Sequence, residues 1–167
     1  STLAGQQRSR QQGDALWRVD EPRWPVTADG RYWWKSDTSS DELDGHYFFY
    51  GLYYDLVADS EAEKERVREI VRDNIEHLIS HGFRMHDHAG PTRWANYAPE
   101  SLNHDLVWAT ERGINSLSIL SYLATAAHIT GDRRYLDVAA MLRDDHGYHQ
   151  NVMNPKLQNG IGSGNQS

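Results

Sequence analysis

Residues 37–57, DTSSDELDGHYFFYGLYYDLV, join an acidic, hydroxyl-rich start to a run that is apolar on every side. Ser39 and Glu42 have the spacing of a capping box, so the pattern predicts a helix over residues 41–58. A helix that is apolar all round is typical of a buried position. Its start holds four carboxylates and a histidine within ten residues. Such a cluster at the mouth of a buried helix indicates an active-site floor, and the alternative is an N-cap with solvated charges.

Composition excludes several classes of protein. The chain has 167 residues, a net charge of −7 and no cysteine. Its length suits one domain with a real core. The acidic balance argues against nucleic acid as a partner, because phosphates require a basic surface. No apolar run reaches the roughly 18–20 residues of a membrane span, so we expect no membrane partner. Without cysteine there is no thiolate nucleophile and no cysteine zinc site.

Three further segments have helical patterns. We predict an amphipathic helix over residues 61–81, an apolar one over 115–130 and one with a single broad apolar face over 133–144, capped by Asp132. Alternation of buried and amphipathic helices favours two layers, with the first and third helices inside. Antiparallel helix pairs in an inner and an outer ring form an α/α toroid. The starts of the inner helices would then meet at one mouth.

The remaining segments are polar or irregular. Residues 1–36 form an irregular N-terminal segment in which Asp29-Gly30 predicts one short hairpin. Residues 83–110 are a long connection of the kind that is often functional. We expect FRMHDH and TRWANY to pair there as a small β-hairpin, with its turn at Gly90-Pro91. The end of the chain, from Gly147 onward, is polar and glycine-rich.

Three stretches carry a family resemblance: DTSSDELDGHYFFYGLYYDLVADSEAEKERVREIV, HGFRMHDHAGPTRWANYAPESLN and ERGINSLSILSYLATAAHITGDRRYL. Over residues 30–167 the chain resembles an uncharacterised bacterial family of the six-hairpin glycosidase-like superfamily. The resemblance is most specific at DTSSDE, GPTRW and ERGINSL. It implies an (α/α)6 toroid that acts on carbohydrate. Members of that superfamily include glycoside hydrolases, unsaturated-uronide hydrolases and polysaccharide lyases.

The chain is short for that architecture. A six-hairpin toroid needs about twelve helices and roughly 350 residues. We therefore expect residues 37–167 to form an incomplete toroid of about two hairpins, as a fragment of a longer protein. Residues 163–167 echo the stretch ahead of the first helix, where a further repeat would begin. The inner helices would expose apolar surface, so we expect self-association or contact with the missing remainder of the toroid.

Four residues at the first helix are catalytic candidates. Glycoside hydrolysis needs one carboxyl group that protonates the leaving oxygen and one that activates water or attacks the sugar. Asp41, Glu42 and Asp44 suit the base or nucleophile, because a helix N-terminus favours the ionised carboxylate. Helical spacing predicts that Asp41 and Asp44 share a face, with Glu42 turned away by about 100°. His46 is a base or an orienting residue, and a core histidine is the alternative.

Substrate-binding candidates come from three regions: Asp37, Arg93, Trp94, Tyr97, Glu111, Arg112 and Asn115. The Arg112 guanidinium can bind a uronate carboxylate, or it can pair with Glu111 at the head of the third helix. Asn115 can bind sugar hydroxyls, or it can cap that helix. The second region, RWANY, offers charge and stacking to an acidic sugar, with a hairpin packed on the toroid rim as the alternative.

Other site chemistries find little support. His86 and His88 would share a face of a strand, which suggests a metal site. Neither an HExxH motif nor a carboxylate facial triad accompanies them, so we expect no metal and no cofactor. The sequence also contains no GxSxG elbow, Walker loop or dinucleotide fingerprint.

The sequence predicts an all-α, glycoside hydrolase-like enzyme that acts on a poly- or oligosaccharide, including uronate-containing ones, by carboxylate chemistry. A polysaccharide lyase of the same fold is an alternative. It needs a base such as His46 or Tyr50 and a cation such as Arg93 or Arg112. A non-catalytic glycan-binding or scaffold module is a third possibility. The compartment is open, and a secreted or periplasmic location follows if the substrate is a polysaccharide.

Overall fold

The computed structural model describes residues 24–154, which form a mostly helical structure with one small antiparallel sheet. Helices make up 61% of these residues. The α-helices are α1 Ser40–Leu56, α2 Glu61–Ser80, α3 Pro99–His104, α4 Arg112–Thr130, α5 Arg134–Asp144 and α6 Tyr148–Asn151. The sheet pairs β1 Arg84–Asp87 with β2 Gly90–Asn96, and a 3-10 turn at Leu106–Trp108 precedes α4. Predictions on residues 1–23 and 155–167 lie outside the described residues.

All four predicted helices are present as α1, α2, α4 and α5. The capping box of α2 forms fully, since the Ser60 side chain accepts from the Glu63 amide and Glu63 accepts from the Ser60 amide. Helix α4 begins at Arg112 and its N-cap position is Glu111. The prediction that Asn115 caps this helix is therefore wrong. The short helices α3 and α6 were not predicted, because one or two turns show no helical period.

The predicted β-hairpin is present, but its turn lies earlier than expected. Asp87 pairs with Gly90, so the loop is His88-Ala89 and the predicted turn at Gly90-Pro91 is wrong. The Asp87 carboxylate accepts from the Ala89 amide at 2.8 Å. This bond between an aspartate side chain and the backbone two residues on stabilises the turn, whose two loop residues do not include glycine. The hairpin expected near Asp29-Gly30 is reduced to one bridge between Val26 and Trp33.

The core lies around α4, where α1, α2, α5 and α6 pack against it. Helix α2 contributes a stripe at helical spacing and α4 contributes the facing positions: Val67, Val71, Ile75 and Leu78 on α2, and Ile119, Tyr122, Leu123, Ala126 and Ile129 on α4. Each fully buried Val, Leu or Ile stabilises the fold by about 1.5–3 kcal/mol relative to an exposed one.

Helices α1 and α4 run in the same direction. Asp44 contacts Tyr122 near the start of α1. Asp55 contacts His128 near its end, and a Cβ on Gly51 would lie 3.8 Å from Thr125. The increasing residue numbers on both helices show that they are parallel. The sequence analysis expected this relative direction for the first and third helices.

Helix α1 is only partly buried, contrary to the expectation from its apolar pattern. Within α1, the buried residues are Leu43 and Tyr47. Phe48 and Leu56 are 72% and 76% exposed, and Phe49 and Leu52 also face solvent.

Candidate active site

An open pocket of about 520 Å³ lies at the N-terminal end of α1. The preceding loop and the first two turns of the helix line it: Lys35, Thr38, Asp41, Glu42, Gly45 and His46. The structure thus brings together three of the four predicted catalytic residues, Asp41, Glu42 and His46. They meet because all three lie in the first two turns of α1, and the loop before the helix adds Lys35 and Thr38 to the lining.

Glu42 is held by three donors. Its Oε1 pairs with the Lys35 ammonium, and its Oε2 accepts from the Thr38 hydroxyl at 2.8 Å and from the Ser39 amide at 3.2 Å. Burial acts to raise the pKa of Glu42, but the bonds from Lys35 and Thr38 and the lysine charge outweigh it and lower the pKa. Glu42 is therefore ionised at neutral pH. This state suits a base, a nucleophile or a fixed negative charge, and not a proton donor.

Asp41 and His46 both line the pocket and are both exposed. Asp41 is exposed in the first turn of α1, where the helix N-terminus favours a carboxylate. The His46 ring is also exposed and stacks on Tyr50, with ring centroids 5.8 Å apart and an interplanar angle of 18°. The interpretation of His46 as a core histidine is therefore wrong. An exposed imidazole can exchange protons with a bound ligand.

Asp44 points away from the pocket and toward α4. Its carboxylate accepts from the Tyr122 hydroxyl at 2.5 Å. Burial is the main cause that raises the pKa of Tyr122, and the neighbouring Tyr97 and the Asp44 carboxylate raise it further. The Tyr122 hydroxyl therefore stays protonated and donates. The pocket joins Asp41 to Glu42, and Asp44 is not among the residues that line it. Asp44 instead links α1 to α4.

Asp37 and Arg93 also come together, at the entrance to α1. The Asp37 carboxylate, 1% exposed, accepts from the Arg93 amide at 2.6 Å and lies 3.7 Å from the Arg93 Nε. The Asp37 amide donates to the Asp87 carboxylate at 2.7 Å. Asp37 has a φ of 55°, a strained value for a residue other than glycine, and these contacts stabilise it. The contacts fix the hairpin against the loop that lines the pocket.

The other predicted substrate-binding residues lie elsewhere. Tyr97 and Asn115 are buried, and the Asn115 amide donates to the Asn96 carbonyl at 3.1 Å. The structure places both in the core, where a sugar cannot reach them. Arg112 donates to the Leu102 carbonyl, and the amide of Glu111 donates to the Trp108 carbonyl at 3.0 Å.

Trp94 lies beside Arg93 on β2. It is half-buried, and the Arg93 guanidinium lies 5.2 Å from its ring centroid. Its edge contacts the buried Trp108, with ring centroids 6.2 Å apart. These contacts fit the alternative interpretation of RWANY as a hairpin packed on its neighbours.

Sequence reasoning missed three pocket residues, Lys35, Thr38 and Gly45. The Thr38 hydroxyl donates to Glu42, one helical turn further along the chain. The separation of Lys35 and Glu42 in the sequence does not predict their ion pair. Lys35 precedes the helix, so helical periodicity does not fix its position relative to Glu42. The feature of the sequence that is compatible with the Lys35–Glu42 ion pair is its composition, since a lysine precedes an acidic cluster.

Residues 24–154 contain no group of three or more His, Cys, Asp or Glu side chains placed to hold a metal ion. Among the helices of this described part, none is both long and apolar enough to cross a bilayer. A scan against protein-family models, a search of curated proteins and a search of solved structures found no match.

Proposed function

We propose that this chain belongs to a carbohydrate-active, glycoside hydrolase-like enzyme and that a poly- or oligosaccharide binds in the pocket at the head of α1. The observation that carries the proposal is the convergence of Asp41, Glu42 and His46 in one open pocket. The resemblance to the six-hairpin glycosidase-like superfamily supports carbohydrate as the substrate class. The parallel direction of α1 and α4 supports an α/α toroid, of which the described helices would form part.

The roles follow from the surroundings of each side chain. Asp41 is exposed, so its carboxylate can activate water or attack the sugar. Glu42 is ionised and fixed by its donors, so it can stabilise the positive charge of an oxocarbenium-like transition state. His46 can protonate the leaving oxygen. Lys35 and Thr38 act through Glu42, as positioning residues.

A polysaccharide lyase is the second candidate, and the pairing of His46 with Tyr50 favours it. A lyase removes the proton next to a uronate carboxylate, with His46 as the base, and the new C=C bond forms as the C–O bond to the glycosidic oxygen breaks and that oxygen leaves as a hydroxyl. Lys35 lines the same pocket, and in a lyase its ammonium would exchange its pairing with Glu42 for the uronate carboxylate, which it would neutralise. The product of this reaction is an unsaturated uronide, which absorbs ultraviolet light, whereas hydrolysis of a saturated glycan yields only new reducing ends.

The test is a glycan panel assayed for reducing ends and for ultraviolet absorbance, with the chain and two variants. Asp41→Asn removes the candidate base, and Asp73→Asn is the matched control on the exposed face of α2. We expect Asp41→Asn to lower turnover by about 10²–10⁴-fold while Asp73→Asn retains it. Circular dichroism checks that both variants keep their helices.

Each other result has a defined meaning. Equal turnover by Asp41→Asn and the parent chain would contradict the proposed site. Rising absorbance would identify a lyase, and loss of absorbance from a pre-unsaturated substrate would identify an unsaturated-uronide hydrolase. Saturable binding without turnover would overturn the enzyme proposal in favour of a binding module, and silence in both assays would indicate a scaffold.

A further inference from the structure

Three histidines from two elements meet where the β-hairpin packs on the end of α2. His77 lies in the last turn of α2, His81 follows that helix, and His86 is on β1. The ring centroids of His77 and His81 are 4.2 Å apart, those of His81 and His86 are 4.4 Å apart, and those of His77 and His86 are 6.4 Å apart. This cluster lies outside the proposed active site.

One hydrogen bond fixes the protonation state of His77. The backbone amide of His86 donates to the His77 Nε2 at 3.1 Å, so this nitrogen must carry a lone pair and no proton. The His81 Nδ1 lies 2.8 Å from the His77 carbonyl and 3.2 Å from the Ser80 hydroxyl. A proton added to the His77 Nε2 would remove the acceptor and place a positive charge beside two more imidazoles.

We propose that His77, His81 and His86 form an acid-sensitive latch, which holds the hairpin on α2 when His77 is neutral and releases it when His77 is protonated. The hairpin reaches the pocket through two contacts, since Asp87 accepts from the Asp37 amide and Asp37 accepts from the Arg93 amide. Release of the hairpin would therefore loosen the loop at the pocket entrance.

The charged groups near the latch do not offset a positive charge on His77. The charged side chains nearest in sequence to the three histidines are Asp73 and Glu76 on α2 and Arg84 and Asp87 on β1, and the paired strand β2 carries Arg93. Glu76 already accepts from the Tyr135 hydroxyl, and Asp87 accepts from two backbone amides. Asp73 is exposed, where its charge is screened. The free carbonyls at the C-terminal end of α2 favour a positive charge on His77. Salt screens this effect at the helix terminus.

The pH dependence has a defined sign. Burial lowers the pKa of His77, the charges of His81 and His86 lower it further, and a smaller opposing contribution from the His86 backbone does not reverse the direction. The unfolded chain therefore binds a proton at higher pH than the latched form. The latch stabilises the structure fully above about pH 6.5, the ordinary histidine pKa, and that stabilisation decreases as the pH falls below it.

The test is amide hydrogen exchange of the full chain by NMR, from about pH 7.5 to about pH 5, a range that spans the titration of histidine. Rates are corrected for the intrinsic effect of pH. We expect the His86 amide, followed by the Arg93 amide, to lose protection as the pH falls. In His77→Gln, whose side-chain oxygen can accept the same bond without titrating, we expect protection to persist in acid. His104→Gln, at an exposed site on α3, should behave as the parent chain.

Two results from the parent chain and His77→Gln would overturn the latch, and so would a third from the control. One is constant protection of the His86 amide across the pH range in the parent chain. This result is obtained without any variant. The other is a His77→Gln variant that loses protection in acid as the parent chain does. If His104→Gln alone removed the pH dependence, the switch would lie outside the cluster.

Discussion

Helices α1 and α4 have nearly the same apolar character, but they have different surroundings. Helix α4 buries nine residues, including Ile119, Leu123 and Ile129, whereas α1 buries two. Helices α2, α5 and α6 pack around α4, while α1 contacts the rest of the structure along one side. The comparison shows that an all-round apolar pattern indicates what a helix can bury. Burial itself depends on which neighbours are present.

The exposed side of α1 forms a stripe at helical spacing. Phe48, Leu52 and Leu56 follow one another at four-residue intervals, and all are exposed. Four-residue steps keep side chains on one face, so the three form one continuous apolar strip. Such a strip on a protein surface is typical of an interaction site. Its contribution to the stability of this chain is expected to be small, which the following substitutions test.

Truncation of a leucine should give the largest contrast between the two helices. Leu123→Ala in α4 removes a fully buried side chain and should lower the free energy of unfolding by about 2–5 kcal/mol. Leu56→Ala in α1 should change it by no more than about 0.5 kcal/mol, because this residue is largely exposed. Urea denaturation measures both. Equal losses would mean that α1 is covered in solution by a second copy.

A glycine in each helix gives the next largest effect. A Cβ on Gly113 in α4 would lie 2.1 Å from the Asn154 carbonyl oxygen, so Gly113→Ala should destabilise the fold by about 1–3 kcal/mol. A Cβ on Gly45 in α1 has no neighbour within 4 Å. Gly45→Ala should therefore stabilise the helix by about 0.5–1 kcal/mol.

Thermal unfolding of the two glycine variants should thus move the melting temperature in opposite directions. A stabilising Gly113→Ala would show that the segment near Asn154 does not pack on α4 in solution. A destabilising Gly45→Ala would show that the pocket side of α1 is more crowded than the structure indicates.

The contact between the two helices is the third test. The Tyr122 hydroxyl on α4 donates to Asp44 on α1, and the two rings of Tyr122 and Tyr47 stack with centroids 4.1 Å apart. Tyr122→Phe keeps the stacking and removes the hydrogen bond, which should cost about 0.5–1.5 kcal/mol. Tyr32→Phe, at an exposed site, serves as the control. Unchanged stability of Tyr122→Phe would mean that this bond does not join the helices.

The smallest expected effect concerns the head of α1. The pKa of Glu42 is lowered in the folded chain, so its interactions stabilise the fold above the ordinary glutamate pKa and are lost as the pH falls through the lowered value. Stability of the parent chain should therefore decrease in acid more steeply than that of Glu42→Gln. Denaturation midpoints from about pH 6 to about pH 3, which bracket the glutamate range, measure the difference. Parallel pH profiles would show that Glu42 has no favourable partners.

Local sequence patterns predicted the helices and the hairpin well. Contacts between distant residues determined which side chains line the pocket. The amphipathic pattern of residues 61–81 and the paired segments around residues 83–97 indicated α2 and the hairpin directly. The burial of Tyr97 and the position of Asn115 inside α4 depend on contacts with distant residues, which spacing does not report. The hydrogen bond between Tyr122 and Asp44 is also a contact between distant residues, so the sequence did not predict it. This bond turns the Asp44 carboxylate away from the pocket. Asp41 and Glu42 were identified because the helix start concentrates them locally.

The most direct test of the proposed site is NMR mapping of saccharide binding. The full chain, labelled with 15N, is titrated with oligosaccharides from the glycan panel while backbone amides are followed. We predict saturable shifts centred on Thr38, Gly45 and His46, which line the pocket. Shifts confined to the exposed stripe of α1, or no saturable shift with any saccharide, would contradict the assignment of the pocket as a carbohydrate site.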